Sequence, residues 1–216
     1  MSGRRDLLSL YADSSLLTRA HVRVRWLTCP FPAVAAELPA AGRILEVGCG
    51  HGLLSLLLAL DSSRRVVRGI DVDEEKLDAA RGAAVRGDLS ATFDVASGGA
   101  LPAGPWDAIA IVDVLYLLDA ATQLDVVRSC AERLAPGGTL VVKEMALTPR
   151  WKAKWNELQE TAAVKLLHIT SGSQLVFLPP AALAAAMAEA GLEVRERPLH
   201  KGYPHPHHLL VGRKPA

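Results

Sequence analysis

Cysteine is scarce in this chain. Cys29, Cys49 and Cys130 are the only three, far apart and never in a CxxC pair. That excludes a disulfide framework and offers no zinc-knuckle spacing, so three buried free thiols in a reducing cytoplasm are expected. Charge of one sign is lacking too. With 24 Lys and Arg against 23 Asp and Glu, the formal net charge is +1, and no long basic run gives nucleic acid any support as a partner. Long apolar runs are missing: the longest, Leu53 to Leu60, is far too short for a membrane span. The opening MSGRRDLLSLYADSS has no apolar core or small-residue cleavage site, so no secretory signal is expected. Repeats and low-complexity linkers are absent as well. What remains is a globular composition, 50% hydrophobic and 22% charged, on a length that suits one domain.

Short Val- and Ile-rich runs alternate with segments of helical periodicity. Strands are expected at Arg43–Val47, Val66–Ile70, Ala91–Ala96, Ala108–Val112 and Thr139–Lys143, the last opened by the turn signal Pro136-Gly137-Gly138. Helices are expected at Leu53–Leu60, Glu74–Arg86 and Gln123–Leu134, with another starting near Pro180. Continuous apolar strands separated by helices mean a parallel sheet covered on both faces, the doubly wound α/β plan. Two stretches depart from the alternation. The first roughly forty residues read as helical, and an insert after the fifth strand carries Trp151, Trp155, Leu158, Ala162 and Leu166 at helical spacing, a docking stripe.

The most informative stretch is ILEVGCGHGLLS, Ile44 to Ser55. A strand enters a turn with Gly48, Gly50 and Gly52, and the turn opens a helix. Glycine lets a ligand approach main-chain atoms, and the helix start offers unpaired N–H groups. The dinucleotide fingerprint GxGxxG/A would need Gly or Ala at position 53, where this chain has Leu53. A nicotinamide-dependent oxidoreductase is therefore disfavoured. The observed pattern is acid-x-Gly-x-Gly-x-Gly, with Glu46 at the strand end.

This pattern resembles motif I of the class I S-adenosylmethionine-dependent methyltransferases. The resemblance extends through VVRGIDVD, through PWDAIAIVDVLYLL and through LAPGGTLVVKE, in order over residues 43–145. It implies a Rossmann-like, seven-stranded sheet of order 3-2-1-4-5-7-6 with an antiparallel last strand and a helical cap, all in one methyltransferase domain. Residues 1–40 would form the N-terminal cap, 41–147 the cofactor core, 148–178 the cap insert and 179–216 the last helix and hairpin. S-adenosylmethionine is the implied cofactor. Its implied contacts are Glu46, Gly48, Cys49, Gly50 and Gly52 in the turn, Asp71 on the ribose, Val72 on the adenine, and Asp113 at the fourth strand's exit. In the loop after the third strand, ATFDVASGGALP puts Ser97 where many relatives carry an adenine-binding acid, with Gly98 following. Asp94 comes three residues too early.

In such a fold every parallel strand ends on one rim, so Asp71, Ser97, Asp113 and Glu144 should converge there. The reaction expected is in-line methyl transfer to oxygen, nitrogen or carboxylate of a small-molecule acceptor, aromatic or lipid-like, by an enzyme that mainly positions the reactants. A non-catalytic S-adenosylmethionine-binding partner is the alternative. Arg19, Arg23 and Arg25 are candidates for holding an anionic group, or else a solvated basic face. The tail GYPHPHHLLVG, Gly202 to Gly212, admits a metal site, an acceptor-side base or a plain turn. Helical HxxxH spacing and a nearby carboxylate or cysteine are lacking, so no metal is expected. The fold would put this turn between the sixth and seventh strands, making His200, Tyr203, His205 and His207 acceptor-side candidates and His208 structural. His205 or His200 is the candidate base. Nothing in the sequence speaks to oligomeric state.

Overall fold

The computed structural model describes residues 2–96, 100–145, 175–199 and 207–216. Three helices lead: α1 (Ser2–Ser9), α2 (Leu16–Thr28) and α3 (Phe31–Ala35). The core then runs β1 (Gly42–Val47), α4 (Leu53–Asp61), β2 (Arg65–Asp71), α5 (Glu74–Arg86), β3 (Ala91–Val95) and β4 (Trp106–Val112). A 3₁₀ turn (Leu115–Leu117), α6 (Ala120–Glu132), β5 (Leu134–Met145), α7 (Pro180–Glu189), β6 (Glu193–Leu199) and β7 (His207–Arg213) complete it. The seven strands form one sheet of order 3-2-1-4-5-7-6, with β7 antiparallel to both neighbours and all other pairs parallel. The topology is the expected one.

Side-chain alternation along the strands divides the core into two layers. Ile44, Val67, Ala108, Val141 and Leu209 face the first five helices, while Leu45, Ile70, Ile109, Val142 and Leu210 face α6 and α7. Helix α4 explains the longest apolar run. Leu53 through Ala59 are all buried because α4 lies between the sheet and the N-terminal helices, so it needs no polar face. The run is a buried helix, as its length required.

One boundary differs from the sequence reading. Helix α6 stops at Glu132, and Leu134 already belongs to β5, pairing with Trp106. The Pro136-Gly137-Gly138 turn does not open β5 but bulges within it, shifting the register between Trp106 and Ala108. Gly137 takes the left-handed conformation, and its N–H reaches the carbonyl of Lys214, so the bulge is stitched to the chain's last residues. At the far edge, β6 is mostly exposed and carries Glu193, Arg195, Glu196, Arg197 and Pro198, residues that discourage edge-to-edge pairing.

Candidate functional site

The carboxyl edge of the sheet is where the turn after β1, the end of β2, the exit of β4 and the ends of β5 and β6 come together. Gly48, Gly50 and Gly52 all have positive φ, at 71°, 52° and 75°. Two of them show different reasons for glycine. A Cβ on Gly48 would lie 2.2 Å from Val114 Cγ2, so that glycine lets the β4 exit pack against the turn. A Cβ on Gly50 would meet nothing nearer than Lys76 Cδ at 3.9 Å, so that face of the turn is open to a ligand.

Asp71 ties the turn to β2. Its Oδ2 accepts the Gly50 N–H at 2.7 Å and its Oδ1 accepts the Asp73 N–H at 3.0 Å. The N-cap of α5 is Asp73, whose side chain accepts from the Lys76 N–H, so Asp71 is not spent on capping. Beside it Val72 is 69% exposed, an apolar surface without cover. A half-buried carboxylate with lone pairs to spare, an uncovered valine and an open glycine face fit an adenosine-type ligand. Asp94 turns away to Arg68 at 2.8 Å. Ser97 and Gly98 lie outside the described residues.

Beneath the turn, Glu46 is 2% exposed, and its Oε2 accepts both the Ser55 N–H (2.9 Å) and the Ser55 hydroxyl (2.5 Å). Burial pushes its carboxyl up to about 7, against the lowering pull of those two bonds. Its evident work is to lock β1 to α4 and so hold the glycines. Cys49 is buried with its thiol next to the Gly50 carbonyl, and burial lifts that thiol far above its ordinary range. The Tyr11 hydroxyl donates to the His51 carbonyl at 2.5 Å, and the His21 ring lies 4.8 Å from the His51 ring. Burial, then His21 and Lys76, push His51 down to about 4, and burial followed by Arg25 lowers His21 as well.

Asp113 departs most from expectation. It sits at φ 55°, and its carboxylate is turned into the protein with 1% side-chain exposure. Lys143 Nζ, itself fully buried, lies 2.6 Å from both oxygens, and Arg25 Nη1 lies 3.1 Å from Oδ2. Burial alone would raise this carboxyl, but Lys143 and then Arg25 outweigh it and hold Asp113 below the usual range. The anion that Arg25 holds is therefore internal, and the cluster pins α2 to the ends of β4 and β5.

Glu144, on the opposite face of β5, accepts the Val114 and Leu115 N–H groups through Oε1, while its buried Oε2 has no partner among the described residues. Burial first, then the nearby Asp113, pushes it up to about 8. A raised carboxyl binds its proton more tightly in the folded state. Its stabilising contribution is therefore full below the ordinary glutamate range and is lost as pH rises through about 8. Glu144→Gln should flatten the fall in melting temperature between pH 5 and 8, removing up to roughly 1.4 kcal/mol per pH unit. The check is a thermal-unfolding series across that range, in which an unchanged slope would contradict the assignment.

Tyr116, just past the β4 exit, stacks on Phe177 at 5.1 Å and 15°. His200, Tyr203 and His205 lie outside the described residues, as does the tryptophan stripe of residues 151–166. The strands that bracket the tail turn do end on the rim: Leu199 pairs with His207, and His207 with Met145. His207 itself is buried and its Nε2 donates to the Thr28 carbonyl at 3.0 Å, so it fastens β7 to the end of α2. His208 meets Glu196 at 2.5 Å, a structural pairing. Local pattern carries no trace of the Tyr11–His51 bond or of the pairing of Arg25 and Lys143 with Asp113. The first joins residues 40 apart in the chain, and Arg25 and Asp113 are 88 apart.

A Rossmann-like sheet of this order, with an acid-tethered glycine turn on its carboxyl edge, defines the class I methyltransferase architecture. Residues 21–197 match the family described as "Methyltransferase domain", and the chain belongs to that family as an S-adenosylmethionine-dependent methyltransferase. A ubiquinone biosynthesis O-methyltransferase of Xanthomonas axonopodis pv. citri (strain 306) is 33% identical over 167 residues, covering 76% of this chain and 68% of that protein. Magnesium protoporphyrin IX methyltransferase from Synechocystis PCC 6803, solved with bound SAH, shares the fold at a TM-score of 0.69 and 18% identity, over 99% of this chain and 94% of that one. An O-methyltransferase family protein from Burkholderia thailandensis gives 0.67 at 22% identity over 95% of this chain, which spans 62% of its length.

Proposed function

We propose that this enzyme methylates a hydroxylated small molecule of aromatic or lipid-like character. The observation that carries the proposal is the Asp71–Gly50 tether on a rim that also bears the Tyr116–Phe177 stack. The ubiquinone-pathway names of its relatives support the acceptor class. Asp71 would take the ribose hydroxyls, Val72 the adenine face, and Gly48, Cys49, Gly50 and Gly52 the main-chain approach. Ser97 and Gly98 would complete the adenine side. Glu46 and Asp113 would serve by holding the β1 turn and the β4 exit in place. S-adenosylmethionine supplies a methyl group already activated on a sulfonium, so no leaving-group acid is required of the protein.

What the chain contributes is orientation and the exclusion of water. A hydroxyl acceptor has a proton to lose, and His205 or His200, with Tyr203 beside them, are the groups proposed to receive or orient it. The test pairs calorimetric titration of S-adenosylhomocysteine with a screen of phenols, prenylated phenols and carboxylated aromatics, read by S-adenosylhomocysteine release. Binding together with turnover on a hydroxylated acceptor is expected. Single alanines at His200, Tyr203 and His205 should lower turnover and leave cofactor affinity within about twofold. Cofactor binding with no turnover on any acceptor would overturn the reading.

A further inference from the structure

Helix α2 has an unusual outward face. Leu16, Leu17, Val24 and Leu27 are 79%, 84%, 58% and 54% exposed, and Ala20 between them is exposed too. At 100° per residue these five fall within roughly 100° of the helix circumference. The buried Val22 lies diametrically opposite, on the side that packs against the core. Arg25, turned to Asp113, and His21, beside His51, point toward the rim and not along the apolar arc. The helix is thus amphipathic in reverse, with its greasiest side facing solvent. A contiguous exposed apolar stripe of this kind marks a docking surface.

Charge decides what docks. The sequence LLTRAHVRVRWLT contains three arginines, one histidine and no acid. Arg19 and Arg23 flank one side of the apolar arc, and neither has an ion-pair partner among the described residues. Exposed apolar side chains with unneutralised guanidiniums at the margin are the features of a helix lying in the interface of an anionic membrane. Burial of the arc to about 5–10 Å would bring Arg19 and Arg23 to headgroup level. No helix among the described residues is long and apolar enough to cross a membrane, so the contact would be surface-lying.

We propose that α2 is a membrane-surface anchor that seats the methyltransferase on anionic lipid through Leu16, Leu17, Val24 and Leu27, with Arg19 and Arg23 on the phosphates. The proposal deepens the lipid-like acceptor reading. The same helix reaches the rim through Arg25 and His21 on its inner side, so α2 alone, about 10–12 Å across, would separate the bilayer surface from the site.

The experiment is co-sedimentation of the full chain with phosphatidylcholine vesicles, with and without 30 mol% phosphatidylglycerol (roughly the anionic content that a polybasic surface senses). Wild type should pellet with the anionic vesicles and at least tenfold less with the neutral ones. Leu16→Gln/Leu17→Gln/Val24→Gln should lose at least tenfold in bound fraction, and Arg19→Gln/Arg23→Gln should lose the preference for anionic lipid. Both variants should keep the wild-type melting temperature and S-adenosylhomocysteine affinity, since Leu16, Leu17, Arg23 and Val24 are exposed and Arg19 is only partly covered. Absence of wild-type binding to either vesicle, or equal binding by the triple variant, would overturn the anchor. So would a wild-type dimer that the triple variant converts to monomer, which would make this face a contact between two copies. The vesicle readout requires no methyl transfer, so failure on every acceptor would count against the function reading alone.

Discussion

Lys143→Met is expected to lower the unfolding free energy by about 3–5 kcal/mol, the cost of stranding one partner of a buried ion pair. Methionine fits the space and is apolar, so the loss would not come from packing. It comes from Asp113, which keeps its carboxylate buried at 1% exposure and retains only Arg25. Asp113→Asn alone should cost a similar amount, because it strands the fully buried Lys143 ammonium. Asparagine tolerates the positive φ of 55°, so backbone strain does not confound that variant. The double variant Asp113→Asn/Lys143→Met should recover most of the loss, since neither charge then remains to be solvated. Urea unfolding with a constant m-value would check this. A double variant no more stable than either single one would mean the cluster is not the source of the stability.

The same cluster sets an acid limit. Lys143 and Arg25 hold Asp113 below the ordinary carboxylate range, so the stability it contributes is present above that range. It is lost as pH falls through the folded-state pKa. Glu144 carries the opposite sign, as its raised carboxyl favours the fold at lower pH. Two acids at adjacent strand ends therefore oppose one another across the pH scale. The separation follows from their partners: Asp113 has two cations within 3.1 Å, while Glu144 has only backbone N–H groups on one oxygen.

Asp71→Ala is expected to weaken S-adenosylhomocysteine binding about 100-fold or more, and with it every downstream step. Two hydrogen bonds to a charged carboxylate, each worth about 1.5–3 kcal/mol, account for that magnitude. Asp71→Asn should be nearly as damaging. Both carboxylate oxygens already accept backbone N–H groups, from Gly50 and Asp73, and an amide can accept through only one of its two ends. Its NH₂ would face a main-chain N–H and push either the glycine turn or the α5 entry out of place. Calorimetric titration measures the affinity, and a thermal melt shows whether the fold survives. An asparagine variant with wild-type affinity would mean that the tether to the glycine turn has no part in binding.

Much of the fold could be read from local pattern. The glycine spacing with Leu53 in place of a small residue separated a methyltransferase turn from a dinucleotide turn. The apolar runs around Ile44, Val67, Ile109 and Val141 located four strands to within a few residues. The misjudged boundary was the α6–β5 junction. Leu134 reads as the last apolar residue of a helix, and only its pairing with Trp106 makes it a strand residue. His207 illustrates the same limit at the site. In sequence it is one of three clustered histidines, and in the fold it is buried against the Thr28 carbonyl, 179 residues away.

By itself, then, the sequence determined the alternation of strands and helices and the glycine turn after β1, because these depend on residue types at fixed local spacing, and through its resemblance to a known family it implied the sheet order and the cofactor class. Tertiary structure alone decided that Asp113 looks inward to Lys143 and Arg25, that Glu46 serves the turn from below, and that the apolar side of α2 faces outward. Those outcomes depend on which distant charges and surfaces meet once the sheet has closed, and periodicity along the chain carries no record of such meetings.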